Sequence, residues 1–136
     1  MPLFKRSALI AAVLALFATV LTGCSSSDEQ AADVTELTVY SGRSEEYNGS
    51  ILTDWEKQSG IKLNIRYGDS AELAAQILEE GGNSPADLYI SQDAGALGAV
   101  SDAGLFIELG SEVAAEVPSK FVAANRTWVG MTGRAR

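Results

Sequence analysis

The chain has no histidine among its 136 residues and only one cysteine. Without histidine, neither a Ser-His-Asp nor a Cys-His nucleophile system can be built, and no imidazole can ligate a metal. One cysteine cannot close an internal disulfide. Two nucleotide signatures are missing as well: there is no G-x-x-x-x-G-K-[ST] phosphate loop and no G-x-G-x-x-G turn. Base is scarce relative to acid, with 10 Lys and Arg against 18 Asp and Glu, a formal net charge of −8. An acidic surface disfavours nucleic acid and anionic lipid head groups, so no nucleic-acid partner is expected. The uncharged run from Ala8 to Leu21 has the length of a signal-peptide core and is shorter than a membrane span.

That run gives the one cysteine its context. Lys5 and Arg6 precede it, and Leu21-Thr22-Gly23-Cys24 closes it. The order is that of a bacterial lipoprotein export signal: residues 1–23 are the signal, cleavage falls before Cys24, and the thiol carries diacylglycerol. Two acyl chains on one cysteine anchor a protein stably where one would be marginal. Ser25-Ser26-Ser27-Asp28-Glu29-Gln30 then reads as a flexible tether, giving residues 24–35 to the acylated cysteine and tether. Loss of Lys5 and Arg6 with the signal takes the net charge from −8 to −10. The body, residues 36–136, is about one domain long.

Within it, Leu37-Thr38-Val39-Tyr40 predicts a strand. Tyr47, Ile51, Leu52 and Trp55 recur at helical spacing and predict a helix with that stripe packed inward, Ser44 as its N-cap and Gly60 as its stop. Tyr47 is assigned to the core on this pattern. Ile61, Leu63 and Ile65 alternate as a second strand. Ser70 or Asp69 caps a second helix with Leu73, Ile77 and Leu78 inside. Ala86–Ile90 is the third strand, and Asp93 caps a third helix with Leu97, Val100 and Ala103 inside and Gly104 at its end. Val113–Val117 is a short helix broken by Pro118, and Trp128–Met131 is a fourth strand. The alternation is α/β, a mainly parallel sheet with helices on both faces. In such sheets ligands bind beyond the carboxyl ends of the strands. The loops in that position are Ser41-Gly42-Arg43-Ser44, Gly68-Asp69-Ser70 and Ser91-Gln92-Asp93. Helix N-termini there suit an anion, and Arg43 adds a forked cation. Ordinary capping accounts equally for Ser44, Ser70 and Asp93. The acid pairs Glu45-Glu46 and Glu79-Glu80 read as solvated faces, Tyr40 and Tyr89 as partly core. Asn48-Gly49-Ser50 and Asn125-Arg126-Thr127 match a glycan acceptor pattern by chance, since the export signal is bacterial.

Several segments, in order, carry a resemblance. Leu37-Thr38-Val39-Tyr40-Ser41-Gly42-Arg43-Ser44-Glu45, Trp55-Glu56-Lys57-Gln58-Ser59-Gly60-Ile61-Lys62-Leu63, Ser84 through Leu97, Ala103-Gly104-Leu105 and Trp128 through Arg136 together resemble the ferric-iron-binding solute receptors of bacterial ABC importers. The resemblance implies a periplasmic-binding-protein-like, class II type fold of two lobes closing on Fe(III), with a synergistic anion such as carbonate, and a carrier rather than an enzyme. It implies a monomer docking on an ABC importer permease outside the cytoplasm. Some members place a histidine ligand where Ser44 stands and a glutamate ligand where Gln92 stands, beside Asp93. The resemblance therefore implies few direct metal ligands in this lobe, and no residue here is assigned to metal. Ser41, Gly42, Arg43, Ser44, Ser70, Ser91, Gln92, Asp93 and Arg134 are the candidate anion-binding residues, with Arg43 and Arg134 as the clamp; the family's adjacent tyrosine ligands lie in the second lobe. Family chains are more than twice this length and cross to the other lobe just after the position of Arg136. Residues 36–136 are thus expected to be a partial N-terminal lobe, a fragment with an open sheet edge, marginal folding and weak or no Fe(III) binding on its own. Rival readings are a receptor for an oxyanion, phosphonate or polyamine, an exported α/β enzyme, and a non-functional truncated product.

Overall fold

The computed structural model describes residues 34–133. The signal, Cys24, the tether through Asp33, and Arg134 lie outside the described residues. Among the described residues no helix is long and apolar enough to cross a membrane.

Three strands form one parallel sheet: β1 (Glu36–Ser41), β2 (Lys62–Tyr67) and β3 (Leu88–Ile90), in the order β2-β1-β3. The helices between them are α1 (Glu45–Ser59) and α2 (Ser70–Glu80). α3 (Ala94–Asp102) follows β3, and α4 (Ser111–Ala115) is a short helix beyond it. β1 pairs with β2 from Glu36↔Lys62 to Ser41↔Tyr67 and with β3 from Val39↔Leu88 to Ser41↔Ile90. The crossover from β1 to β2 runs one way across the sheet and that from β2 to β3 runs back. Right-handed connections then set α1 and α2 on opposite faces.

The two faces differ in quality. On one, Tyr40 and Tyr89 meet Leu73, Ala74 and Ile77 of α2 and Val100 of α3, all buried. Each fully buried aliphatic side chain here contributes about 1.5–3 kcal/mol of transfer free energy. On the other, α1 lies over Val39 and Ser41 and the Leu63, Ile65, Tyr67 side of β2. It approaches at Gly49, the buried residue of the helix, where an added Cβ would stand 3.4 Å from the Tyr67 hydroxyl.

This approach overturns the expected packing of α1. The helix turns Asn48, Gly49, Leu52 and Glu56 inward and leaves Tyr47 and Ile51 each 67% exposed and Trp55 43% exposed. Tyr47 is therefore not a core residue. Glu56 belongs to the inner face because its carboxylate accepts the Leu63 N–H at 3.1 Å. On α2 Leu73 and Ile77 are buried as expected but Leu78 faces solvent, and on α3 Ala103 is exposed as the residue that ends the helix.

Element ends follow local chemistry. Gly60 ends α1 at φ 73°, a left-handed conformation in which a side chain is strained. Asp69 rather than Ser70 caps α2, its carboxylate accepting the Ala71 N–H at 2.8 Å, and Asp93 caps α3 through Ala96 N–H at 2.9 Å. Ser44 stands at the N-cap position of α1, but its hydroxyl caps nothing among the described residues. β3 is shorter than the expected Ala86–Ile90. Asp87 meets β1 partly through its side chain, its carboxylate accepting the Thr38 N–H at 2.8 Å, and the regular ladder begins at Leu88. Trp128–Met131 does not join the sheet. It folds back on Phe121–Ala123 through a single antiparallel bridge, Val122↔Val129, because the tight turn at Ala123–Arg126 delivers it there first. This hairpin is tied to α3, since Ser101 Oγ lies 2.8 Å from Thr127 Oγ1 and accepts from Asn125 Nδ2 at 2.8 Å.

Candidate functional site

The carboxyl ends of β1, β2 and β3 deliver their loops to one place, and Gly42 is its centre. The Gly42 N–H donates to Ile90 O at 2.7 Å, extending the β1–β3 ladder by one rung. The Gly42 carbonyl accepts from Gln92 Nε2 at 2.6 Å and from Ser70 Oγ at 3.4 Å. Ser70 Oγ in turn accepts the Gln92 N–H at 3.0 Å, and Ser70 O accepts from the Tyr89 hydroxyl at 2.5 Å. One residue from each loop, Gly42, Ser70 and Gln92, thus forms a closed knot. It is packed so tightly that a Cβ on Gly42 would fall 2.2 Å from Ser70 Oγ and 2.9 Å from its α-carbon.

Two serines act as hooks beside the knot. Ser41 Oγ donates to Arg43 O at 2.8 Å and accepts the Arg43 N–H at 3.3 Å; Ser91 does the same for Asp93, at 2.8 and 3.2 Å. Ser41 is fully buried and also accepts from Asn48 Nδ2 at 3.0 Å, which ties α1 to the end of β1. The Asn48 Oδ1 atom is buried and has no partner among the described residues.

Of the candidate residues, Ser41, Gly42, Ser70, Ser91, Gln92 and Asp93 are brought together, and each spends polar groups on the protein itself. Arg43 and Ser44 are presented outward from this platform, where β1 runs into α1. Arg43 makes no ion pair among the described residues, and its Cζ lies 5.3 Å from the centre of the Tyr47 ring. Arg134 lies outside the described residues.

Direct metal ligation has little to draw on here. Among the described residues no three Asp, Glu, His or Cys side chains cluster to hold an ion. Three of the chain's four tyrosines are also poor sources of phenolate. Burial pushes the Tyr40, Tyr67 and Tyr89 hydroxyls above the usual tyrosine range, with the Glu80 carboxylate adding to the effect at Tyr40 and the Glu45 charge at Tyr67. Tyr40 belongs to a network of its own: its hydroxyl donates to Glu80 Oε1 at 3.0 Å and accepts from Gln76 Nε2 at 3.1 Å, while Ser84 Oγ holds Glu80 Oε2 at 2.6 Å. The arrangement offers an N–H-rich helix start and one forked cation, which is the chemistry of an anion contact.

Two residues escape a reading of the sequence. Asn48 is visible there only as part of a glycan-like triplet, although it anchors α1 to Ser41. Tyr47 shares helical spacing with Ile51 and Trp55 and so looks like part of an inner apolar stripe. No local signal marks either role, since both depend on how α1 is rotated against the sheet.

A three-stranded parallel sheet with its loops gathered at the strand ends is an open α/β lobe with room for a ligand at those loops, and the sequence comparison supplies the family. Residues 37–128 match the family model for bacterial extracellular solute-binding proteins, and the chain belongs to that family. It is similar to the major ferric iron-binding protein of Neisseria gonorrhoeae, with 35% identity over 103 residues, 74% of this chain and 31% of that one. Among solved structures it is similar to iron-bound HitA from Pseudomonas aeruginosa, with a TM-score of 0.69 and 34% identity over 72% of this chain and 32% of that one. It is also similar to the Trichodesmium protein IdiA (FutA) in complex with iron and citrate, with a TM-score of 0.63 and 28% identity over 70% and 30% of the two chains. The chain therefore spans about a third of the length of the curated relatives it matches.

Proposed function

We propose that this chain supplies the N-terminal lobe of an extracytoplasmic Fe(III) receptor that delivers its cargo to an ABC importer permease. It works as a monomeric carrier, not an enzyme. Residues 1–23 direct export, Cys24 carries the lipid anchor, residues 24–35 form the tether and residues 36–136 the partial lobe. The observation that carries the reading is the convergence of three strand-end loops on the Gly42–Ser70–Gln92 knot, in a chain whose relatives bear ferric-binding names over the same stretch. Within the site, Ser41, Gly42, Ser70, Ser91, Gln92 and Asp93 form the platform. Arg43, the Ser44 hydroxyl and the N–H groups of the α1 start face a synergistic anion such as carbonate, and Arg134 adds a second cation. Such an anion would neutralise charge on hard Fe(III) and fill coordination positions that this lobe's side chains do not.

The test is to isolate the receptor that carries this lobe from the membranes of its own cells grown with ample iron and to measure bound metals and small anions by mass spectrometry. Near-stoichiometric iron supports the reading. A metal-free protein that carries a phosphonate, another oxyanion or a polyamine overturns it in favour of a different cargo. Labelling with radioactive palmitate, retained by the natural chain and lost in Cys24→Ser, tests the anchor separately.

A further inference from the structure

The contact between Arg43 and Tyr47 has a function beyond surface packing. We propose that Tyr47 is a positioning residue that fixes the Arg43 guanidinium for anion capture; the inference rests on the reading of Arg43 as an anion contact.

Three observations carry it. First, Tyr47 is 67% exposed, so its ring is not held in place by a core, and Arg43 lies over it at 5.3 Å. Second, the backbone of Arg43 is already fixed at both its N–H and its carbonyl by the buried Ser41 hydroxyl, which Asn48 holds in turn. With the backbone pinned, the long side chain is the remaining freedom, and a ring one turn into α1 removes much of it. Third, the two interactions of a guanidinium use different parts of it. Stacking uses its flat face, whereas a carboxylate, carbonate or phosphate is bound through N–H groups along its edge. A guanidinium that meets the ring through its face keeps its anion-binding edge free while the contact restricts where that edge can point. Glu45 and Glu46, in the same first turn, make such restraint useful, because a free Arg43 has two nearby carboxylates to pair with.

The experiment is an NMR titration of the full chain with bicarbonate and, separately, inorganic phosphate, following the Arg43 side-chain Nε–H and Hδ signals and, in every variant including Arg43→Ala, the backbone N–H signals of Ser44, Glu45 and Glu46. In the natural chain the Hδ signals are shifted upfield by the ring, and the Nε–H moves on anion addition. Tyr47→Phe retains both, because it keeps the ring. Tyr47→Leu, a good helix former at an exposed position, loses the upfield shift and binds either anion about two- to five-fold more weakly. Equal affinity in Tyr47→Leu and the natural chain, with anion response lost in Arg43→Ala, overturns the positioning role and leaves the anion site standing. An unchanged anion response in Arg43→Ala overturns both. Weakened binding in Tyr47→Phe as well as Tyr47→Leu also overturns it, since the hydroxyl and not the stack would then be the contributor.

Discussion

Replacing Gly42 by alanine should destabilise the lobe more than any other single methyl group added at its strand-end loops. The new Cβ would meet Ser70 Oγ at 2.2 Å, the Ser70 α-carbon at 2.9 Å and Ile90 O at 3.0 Å. The hydroxyl could rotate away, but it would then abandon the Gln92 N–H and the Gly42 carbonyl. The α-carbon and the carbonyl belong to the backbone of α2 and β3 and cannot move without spreading the sheet from the helix. Overpacking of a close-packed site costs about 1–3 kcal/mol, and the two strained or lost hydrogen bonds add about 0.5–1.5 kcal/mol each, so the total is about 2–6 kcal/mol. With a urea dependence of about 1–3 kcal/mol per molar for a small domain, the midpoint falls by on the order of 2 M. The assay is urea unfolding followed by circular dichroism. Gly42→Ala combined with Ser70→Ala should recover only part of the loss, because the clash with the backbone of residue 70 persists. Gly60→Ala serves as the contrast: nothing lies within 4 Å of its Cβ, so its cost is the left-handed backbone alone, about 1–2 kcal/mol. A Gly42→Ala midpoint within about 0.3 M of the natural chain would refute the close-packed knot.

Three further outcomes are expected. In the core, Ile77→Ala, which opens a cavity between α2 and the sheet, should lower stability by about 2–5 kcal/mol in the same urea assay, while Ile51→Ala on the exposed side of α1 should change it by less than about 0.5 kcal/mol. At the helix starts, Asp69→Ala should cost about 0.5–2 kcal/mol because it removes the acceptor for Ala71 N–H, whereas Ser44→Ala should be nearly neutral since its hydroxyl caps nothing among the described residues; thermal melts of the two variants decide it. Stability should also fall at both ends of the pH range. The Glu80 carboxylate is held below its usual range, first by the Ser84 hydroxyl, so its contribution is present above the unfolded-chain value near 4.5 and is lost as pH falls through the lowered folded value. Tyr40 is raised, first by burial, so its contribution is complete below about 10 and is lost as pH rises from there through the higher folded value. Melting temperature measured across pH should show a flatter acid limb in Glu80→Gln and a flatter alkaline limb in Tyr40→Phe.

Much of the fold could be read from the chain because its signals are local. The Leu37–Tyr40 run, the Gly60 stop, the Asp93 cap and the alternation of β2 all depend on neighbours a few residues away, and each stands where expected. The misplaced features depend on partners far along the chain. The face of α1 that packs is chosen by Gly49 meeting Tyr67, so the periodicity of Tyr47, Ile51 and Trp55 identifies a helix without identifying its buried side. Trp128–Met131 has strand composition, but composition does not say whether the partner is the sheet or Phe121–Ala123. Asp87 shortens β3 by a side-chain contact to Thr38 that no propensity records.

The candidate site divides along the same line, and the division bears on function. Topology alone places the loops after β1, β2 and β3 together, so the location was legible. The roles within it were not, because hydroxyls that bind a ligand and hydroxyls that hold a loop have the same sequence appearance. Ser41 and Ser91 each bridge the backbone of the residue two positions on, and Ser70 and Gln92 close on Gly42. Breaking the Ser41, Ser70 or Gln92 contacts to reach a ligand would leave buried or part-buried donors or acceptors unpaired, at up to about 1–3 kcal/mol apiece, whereas the Ser91 contact is exposed and water can replace it. An anion gains nothing by competing for them when Arg43, Ser44 and the first N–H groups of α1 are already directed outward. On the proposed reading of Arg43 as an anion contact, selectivity resides in the rigidity of the platform and in the few groups it projects, so substitutions at Ser41 or Ser70 should lower stability and affinity together, whereas Arg43→Ala should lower affinity at unchanged stability.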